Sequence, residues 1–124
     1  MPVHVSVDRN RKLVVSTYFG EVTDADVARQ VSDIRQQAPY GPTYRVITDF
    51  TQVTQFNISS SEIRSVAGSE SPLAQARRVM VAPSDVAYGT SRMFQTLALG
   101  TRPNITVVRT LAEAYAALGI DGIG

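Results

Sequence analysis

Hydroxyl and carboxylate side chains that could bind an anion occur where apolar, strand-like runs give way to helix-like segments. In an open parallel sheet, ligands bind beyond the carboxyl ends of the strands, where helix N-termini attract phosphate or carboxylate groups. The pattern therefore predicts a ligand rim or partner-binding rim made of Asp49, Thr51, Ser84, Asp85, Arg109 and Thr110. Ser, Thr and Asp are also preferred helix caps, so a purely structural role stays open.

Three consecutive serines, Ser59, Ser60 and Ser61, form a second candidate site, directly before Glu62. Ser59 and Glu62 have the spacing of a capping box at the start of a helix. A phosphate on this run would add nearly two negative charges, which a helix N-terminus favours. The three serines are therefore phosphorylation candidates. The alternative is a plain cap with two solvated neighbours.

Tyr88, Gly89 and Arg92 form a third candidate site, within a helix predicted over residues 85–98. Tyr88 and Arg92 are four residues apart and project from one side of that helix. The guanidinium of Arg92 could hold an anionic headgroup or the carboxylate of a partner. Gly89 costs about 1 kcal/mol relative to Ala inside a helix, which indicates close approach by a neighbouring helix or a ligand. A packing glycine beside a solvated arginine is the alternative.

Metal and nucleophilic chemistry have little support in the sequence. There is no cysteine, and His4 is the single histidine, placed in an alternating run typical of an edge strand. Metal-binding histidine spacings and the Gly-x-Ser-x-Gly elbow of serine hydrolases are both missing. We therefore expect no catalytic residue, no metal, no cofactor and no enzymatic activity.

Length and charge restrict the class of protein further. The chain has 124 residues and a formal net charge of +1, which predicts one domain over residues 1–124. Its scattered arginines do not form the basic face of a nucleic-acid-binding protein. The N-terminus does not resemble a signal peptide, and no segment approaches the roughly 18–20 apolar residues of a membrane span. We expect a cytoplasmic protein without integral membrane association.

Hydrophobic periodicity predicts the elements that position these candidates. Strands are expected over 3–8, 12–20, 44–50, 78–82 and 105–108, with a polar connection over 51–57. Helices are expected to begin at Thr23, Ser59, Asp85 and Thr110. In the third helix, the residues expected to face inward are Val86, Met93, Phe94 and Leu97.

This order predicts an α/β fold with a mostly parallel five-stranded sheet and four helices. The short polar link between the first two strands indicates an antiparallel hairpin, with the first strand at the edge. Each later unit is a strand–helix crossover, which winds parallel strands in succession. The full order is β-β-α-β-α-β-α-β-α.

The stretch RVITDFT at 45–51, leading into the Ser59 helix, resembles the STAS and SEC14-like superfamily, which includes bacterial anti-sigma-factor antagonists. STAS domains similarly end a central strand in Asp-Leu-Ser and then begin a helix with an Asp-Ser phosphorylation pair. The stretch YGTSRMF at 88–94 is also similar to a sequence in small bacterial members without an assigned role. The resemblance covers nearly the whole chain.

The resemblance implies a non-enzymatic regulatory or protein-interaction domain, whose partner is another protein or a second copy of itself. The SEC14 side of the superfamily implies an alternative, the binding of a small apolar or lipid-like ligand. The phosphorylation pair itself does not match, because its acid falls on Asn57 and its serine on Ile58. An enzyme using Asp49, Ser84 and Arg92 is a third hypothesis.

Overall fold

Strands and helices alternate through residues 2–120, the part of the chain that this computed structural model describes. The strands are β1 Val3–Asp8, β2 Leu13–Thr23, β3 Arg45–Asn57, β4 Arg77–Val81 and β5 Ile105–Val108. The helices are α1 Asp24–Gln37, α2 Ser60–Gly68, α3 Asp85–Leu97 and α4 Leu111–Leu118. The predicted order of elements is confirmed.

The five strands form one sheet in the order β1-β2-β3-β4-β5. β1 pairs with β2 antiparallel, whereas the other three pairs are parallel. The predicted topology, including the antiparallel edge strand, is therefore confirmed. A crossover helix follows each of β2, β3 and β4, as parallel neighbours require.

Helices cover the two faces of the sheet unequally. Residues of α1, α2 and α3 pack on one face, where Ile34, Ala67 and Ala87 join the buried clusters. Within residues 2–120, α4 is the one helix that packs on the other face, through Ala114 and Leu118. A layer of three helices therefore lies over one side of the sheet, and it encloses the site described below.

The third strand is longer than the sequence predicts. Residues 51–57, expected as a polar connection, continue β3 as a parallel partner of residues 19–23 in β2. The prediction of a loop is wrong, because pairing with β2 holds these mainly polar residues in a strand. Hydrogen bonds to a neighbouring strand satisfy the backbone whatever the side chains are.

The inward face of α3 also differs from its prediction. Val86 is 63% exposed and Leu97 is 42% exposed, whereas Ala87, Ser91 and Ala98 are buried. Met93 and Phe94 are half-buried. Small side chains occupy the positions nearest the sheet, which lets the helix axis lie close to it. The largest apolar residues were therefore a poor guide to the buried face.

None of the helices within residues 2–120 has the length and apolar character needed to cross a membrane.

Candidate functional site

A cavity of about 90 Å³ lies between the sheet and the layer formed by α1, α2 and α3. We call it the helix-layer cavity. Its floor includes Tyr18, Phe50 and Met80, and its walls include Val31, Ile63 and Phe94. The exposed residues Arg35, Glu70 and Pro72 mark its open end.

The size of the helix-layer cavity restricts what it can hold. Pockets for drug-sized ligands usually measure about 300–1,000 Å³, and this cavity is smaller. An apolar cavity of about 150 Å³ holds benzene, which has six heavy atoms. On that scale, a cavity of 90 Å³ accommodates a group of about four heavy atoms.

Polar side chains interrupt the apolar interior on this side of the sheet. Gln30 of α1 is buried and donates a hydrogen bond from Nε2 to Oγ of Ser16 in β2, at 3.0 Å. That bond satisfies both groups, as buried polar atoms require. Two other polar atoms at the cavity are not satisfied in this way.

Arg78 is the first of these, and it lies in the middle of the sheet. Its Cα pairs with Val46 of β3 and Ile105 of β5, and the residue is only 6% exposed. Its Nε is buried and makes no hydrogen bond with any residue between 2 and 120. The side chain lines the helix-layer cavity. A buried cation without a hydrogen-bonded counter-ion is uncommon, since its desolvation is costly.

The charges around Arg78 add to this cost. Burial and, to a smaller extent, repulsion from Arg102 lower the pKa of Arg78 to about 10, while Tyr18 acts in the opposite direction. At neutral pH the guanidinium still carries its proton. The group is therefore a positive charge held at the wall of a mostly apolar cavity.

Ser91 of α3 is the second unsatisfied group. It is 0% exposed, lines the cavity, and its Oγ makes no hydrogen bond within the described part of the chain. Tyr18, in the floor, is also buried, and desolvation raises the pKa of its phenol. Its hydroxyl is therefore neutral and can donate a hydrogen bond. Arg78, Ser91 and Tyr18 thus place hydrogen-bond donors in the lining of the cavity.

Arg102 lines the same cavity but has a different role. Its Nη1 donates to the carbonyl oxygens of Val66 and Ser69, each at 3.0 Å, at the C-terminus of α2. Its guanidinium also lies 5.8 Å from the centre of the Phe94 ring. A cation suits the carbonyl end of a helix. Arg102 is thus a structural cap, although burial and the nearby Arg35 lower its pKa.

The predicted rim residues follow neighbouring parallel strands, but most are engaged locally. Ser84 accepts a hydrogen bond from the Ala87 amide at 3.1 Å and caps α3. Thr110 forms a capping box with Glu113 and caps α4. These two contacts match the structural alternative, and a ligand-binding role for either residue stays a prediction.

Asp49 and Thr51 lie inside β3 rather than at its end, as a result of the longer strand. The carboxylate of Asp49 is buried and accepts a hydrogen bond from the Thr51 amide at 2.8 Å. Thr51 is exposed. Asp49 still marks the point where β4 stops pairing with β3, because its Cα partner is Val81.

Arg109, Asp85 and Tyr88 form one contact group at this edge. Nη1 of Arg109 lies 3.1 Å from Oδ1 of Asp85, and its guanidinium lies 4.1 Å from the centre of the Tyr88 ring. Gly89 is exposed, and a Cβ there would meet no atom within 4 Å. Within residues 2–120, no neighbouring helix approaches Gly89 closely, so that part of the prediction is wrong, whereas approach by a ligand stays a prediction. Arg92 is exposed on the same helix.

The serine run begins α2 as predicted, with Ser59 at the N-cap. Ser59 Oγ accepts a hydrogen bond from the Glu62 amide at 3.1 Å and donates one to Oδ2 of Asp24 at 2.7 Å. Its amide donates to Oδ1 of Asp24, also at 2.7 Å. Ser60 and Ser61 are exposed. The Asp24 carboxylate therefore ties the start of α2 to the start of α1.

Arg78 was not among the residues predicted from the sequence, although a signal for it exists. Side chains alternate across a strand, so residues 78, 80 and 82 share one face of β4. Met80 and Ala82 on that face are buried apolar residues. An arginine on the same face as these residues is either buried with them or lies where the core opens to solvent. Either position makes it a candidate site residue.

Among residues 2–120, no group of three or more His, Cys, Asp or Glu side chains is arranged to hold a metal ion.

Comparison with solved structures identifies the fold. A DUF3478-family protein with a SpoIIAA-like fold from Shewanella loihica PV-4 matches with a TM-score of 0.59 and 10% identity, over 94% of this chain and 93% of that one. The Bacillus cell fate determinant SpoIIAA, in its phosphorylated form, matches with a TM-score of 0.51 and 22% identity, over 94% and 98%. No protein-family model matches the chain, and no curated protein does.

Proposed function

We propose that this chain, which has the SpoIIAA-like fold, is a non-enzymatic regulatory domain that binds a small, mostly apolar ligand in the helix-layer cavity. The observation that carries the proposal is the cavity itself, about 90 Å³ between the sheet and α1, α2 and α3. Natural interiors are close-packed, so a space of this size with several polar atoms at its walls needs an explanation.

The chemistry of the lining supports binding rather than catalysis. A nucleophilic serine needs a general base within hydrogen-bond reach. Ser91 Oγ makes no hydrogen bond to any group between residues 2 and 120. His4 is exposed on the edge strand β1 and does not line the cavity. The groups that face the ligand are suited to hold it in place.

The position of the cavity supports a regulatory role. Its walls come from α1, α2 and α3, and the same helices carry the exposed candidate residues Ser60, Ser61 and Arg92. A ligand that fills the cavity would change the packing of α2 and α3 against the sheet. A protein partner that contacts these helices would then bind the occupied and empty forms with different affinity.

A titration with 1-propanol, a neutral molecule of four heavy atoms, tests ligand binding. We expect saturable shifts in the amide NMR spectrum that are confined to residues lining the cavity. Ser91→Leu and Val31→Phe, which fill the cavity from opposite walls, should abolish these shifts, whereas Ser91→Ala should keep them. Two filling variants are used because one of them can fail to fold. Shifts that persist in a folded filling variant would contradict the proposal.

Phosphorylation of the serine run is a second means of regulation that we propose, and it points to Ser60 or Ser61. Ser59 is held against the Asp24 carboxylate by two hydrogen bonds of 2.7 Å. All three serines are exposed, but a phosphate on Ser59 would be repelled by the carboxylate that the Ser59 hydroxyl contacts. Mass spectrometry of the protein from its own cells should find phosphate on Ser60 or Ser61. Phosphate only on Ser59, or on none of the three, would contradict this proposal.

A further inference from the structure

The helix-layer cavity has a buried cation, Arg78, in its lining. We propose that its ligand is a small monocarboxylate, whose carboxylate group binds the guanidinium of Arg78 and whose short apolar body fills the rest of the cavity. This inference rests on the proposed function, and it adds the chemical class of the ligand.

The donor that would bind the ligand is Nε of Arg78. The residue is 6% exposed and lines the cavity, and its Nε makes no hydrogen bond with residues 2–120. A guanidinium presents Nε–H and a neighbouring Nη–H side by side, and this pair matches the two oxygens of a carboxylate. Nε is therefore the donor expected to remain unused until such a group arrives.

Positive charges outnumber negative charges around the cavity. Three of the residues that line it are arginines, Arg35, Arg78 and Arg102, and one is an acid, Glu70. Glu70 is exposed at the open end. Arg102 is already bonded to the carbonyls of α2. Arg35 is exposed and donates to the Glu70 carbonyl oxygen at 2.8 Å, so Arg78 is the buried cation left for a ligand. One negative charge would neutralise Arg78, and a carboxylate supplies it with two oxygens that match the guanidinium.

The lining of the cavity combines hydrogen-bond donors with apolar walls. Ser91 Oγ is buried without a hydrogen bond to the described residues, and it faces the same cavity as Arg78. The remaining walls include Val31, Ile63 and Phe94. A cavity of about 90 Å³ holds about four heavy atoms, which is the size of acetate. Longer carboxylates would extend through the open end.

Comparison of acetate with acetamide tests this inference. The two molecules have nearly the same shape, but only acetate is charged. Isothermal calorimetry and amide NMR titration at neutral pH should show that acetate binds at least about tenfold more tightly than acetamide. Arg78→Met should remove this preference, and Arg78→Lys should restore part of it. Arg64→Gln, at an exposed arginine of α2 outside the cavity lining, is the matched control and should keep the preference.

Carboxylates of increasing alkyl length distinguish a short metabolic acid from a fatty acid as the natural ligand. Tightest binding of acetate or propionate would identify a short metabolic acid, whereas steadily tighter binding up to octanoate would identify a fatty acid that projects from the open end. Both results support the carboxylate at Arg78.

The outcomes also separate this inference from the proposed function. Equal affinities for acetate and acetamide, together with binding of 1-propanol in the cavity, would overturn the carboxylate and leave the ligand-binding function standing. Acetate shifts that are unchanged in Arg78→Met would also overturn it. Failure of all the probes to bind in the cavity would overturn both.

Discussion

The two faces of the sheet are packed in different ways. Beneath α4, buried apolar residues of three strands, including Leu13, Ile47 and Val79, meet Ala114 and Leu118. Beneath α1, α2 and α3, the buried layer also contains Ser16, Gln30, Thr48, Arg78 and Ser91. The helix-layer cavity occurs on this second face.

The two faces show that burial of a polar group and the presence of a hydrogen bond to it are separate properties. On the α4 face, the interior can be explained by the removal of apolar surface from water. On the other face, Ser16 is hydrogen-bonded and Ser91 is not, although both are 0% exposed. Arg102 is bonded to carbonyls, while Nε of Arg78 is not. Arg78, Ser91 and Arg102 all line the cavity, and we interpret the two without these bonds, Arg78 and Ser91, as groups kept for a ligand.

The largest expected effect is on the α4 face. Ile47→Ala should lower the free energy of unfolding by about 2–5 kcal/mol, because it removes a large buried side chain from a close-packed region. Urea denaturation measures this value. Val86→Ala on the exposed side of α3 is the control, and its effect should stay within about 0.5 kcal/mol. Similar losses for both variants would contradict the packing described for the α4 face.

The two buried arginines should respond in opposite directions. Arg102→Met leaves the carbonyls of Val66 and Ser69 without this donor and should cost about 2–3 kcal/mol of unfolding free energy. Arg78→Met removes a buried charge that lacks a counter-ion and should leave the protein equally stable or raise its stability by about 1–2 kcal/mol. Urea denaturation of the ligand-free protein measures both. A large loss for Arg78→Met would show that Arg78 is structural.

The stability difference at Arg78 should also depend on pH. Folding lowers the pKa of Arg78 from 12.5 to about 10, so the unfolded chain binds more protons between these values and stability rises with pH there. Below that range, the wild type carries the full cost of the buried charge. The advantage of Arg78→Met should therefore shrink as the pH rises above about 10. An advantage that does not change with pH would contradict the assignment to charge.

The two buried serines give a smaller contrast. Ser16→Ala leaves Nε2 of Gln30 without its acceptor and should cost about 1–2 kcal/mol. Ser91→Ala removes a hydroxyl that has no hydrogen bond within residues 2–120, so its stability should change by less than about 0.5 kcal/mol. Thermal and urea unfolding measure the pair. Equal losses would mean that Ser91 is bonded in solution, and they would weaken the interpretation of the cavity.

The smallest expected contrast is at the start of α2. Ser59→Ala removes the N-cap and should cost about 1 kcal/mol, whereas Ser60→Ala should be nearly neutral because Ser60 is exposed. Urea denaturation compares the two variants. Greater sensitivity at Ser60 would contradict the assignment of Ser59 as the cap.

The order of elements and the sheet topology could be predicted because they depend on local patterns. Alternating valines at 3, 5 and 7 mark β1, and Thr110 and Glu113 mark the start of α4. The end of β3 could not be predicted, since residues 51–57 are polar and become a strand only through pairing with β2. The prediction of the buried face of α3 was wrong because this face carries Ala87 and Ser91. Their side chains are small and give only a weak apolar signal in the sequence.

The sequence by itself determined the fold class, the antiparallel edge strand and the capped helix starts, because each is encoded by residues close together in the chain. The tertiary structure alone decided which polar groups are satisfied. Ser16 and Ser91 have the same chemistry, and so do Arg78 and Arg102. A hydrogen bond depends on which atoms lie within about 3 Å, and for Ser16 and Arg102 those atoms come from segments 14 and more than 30 residues away.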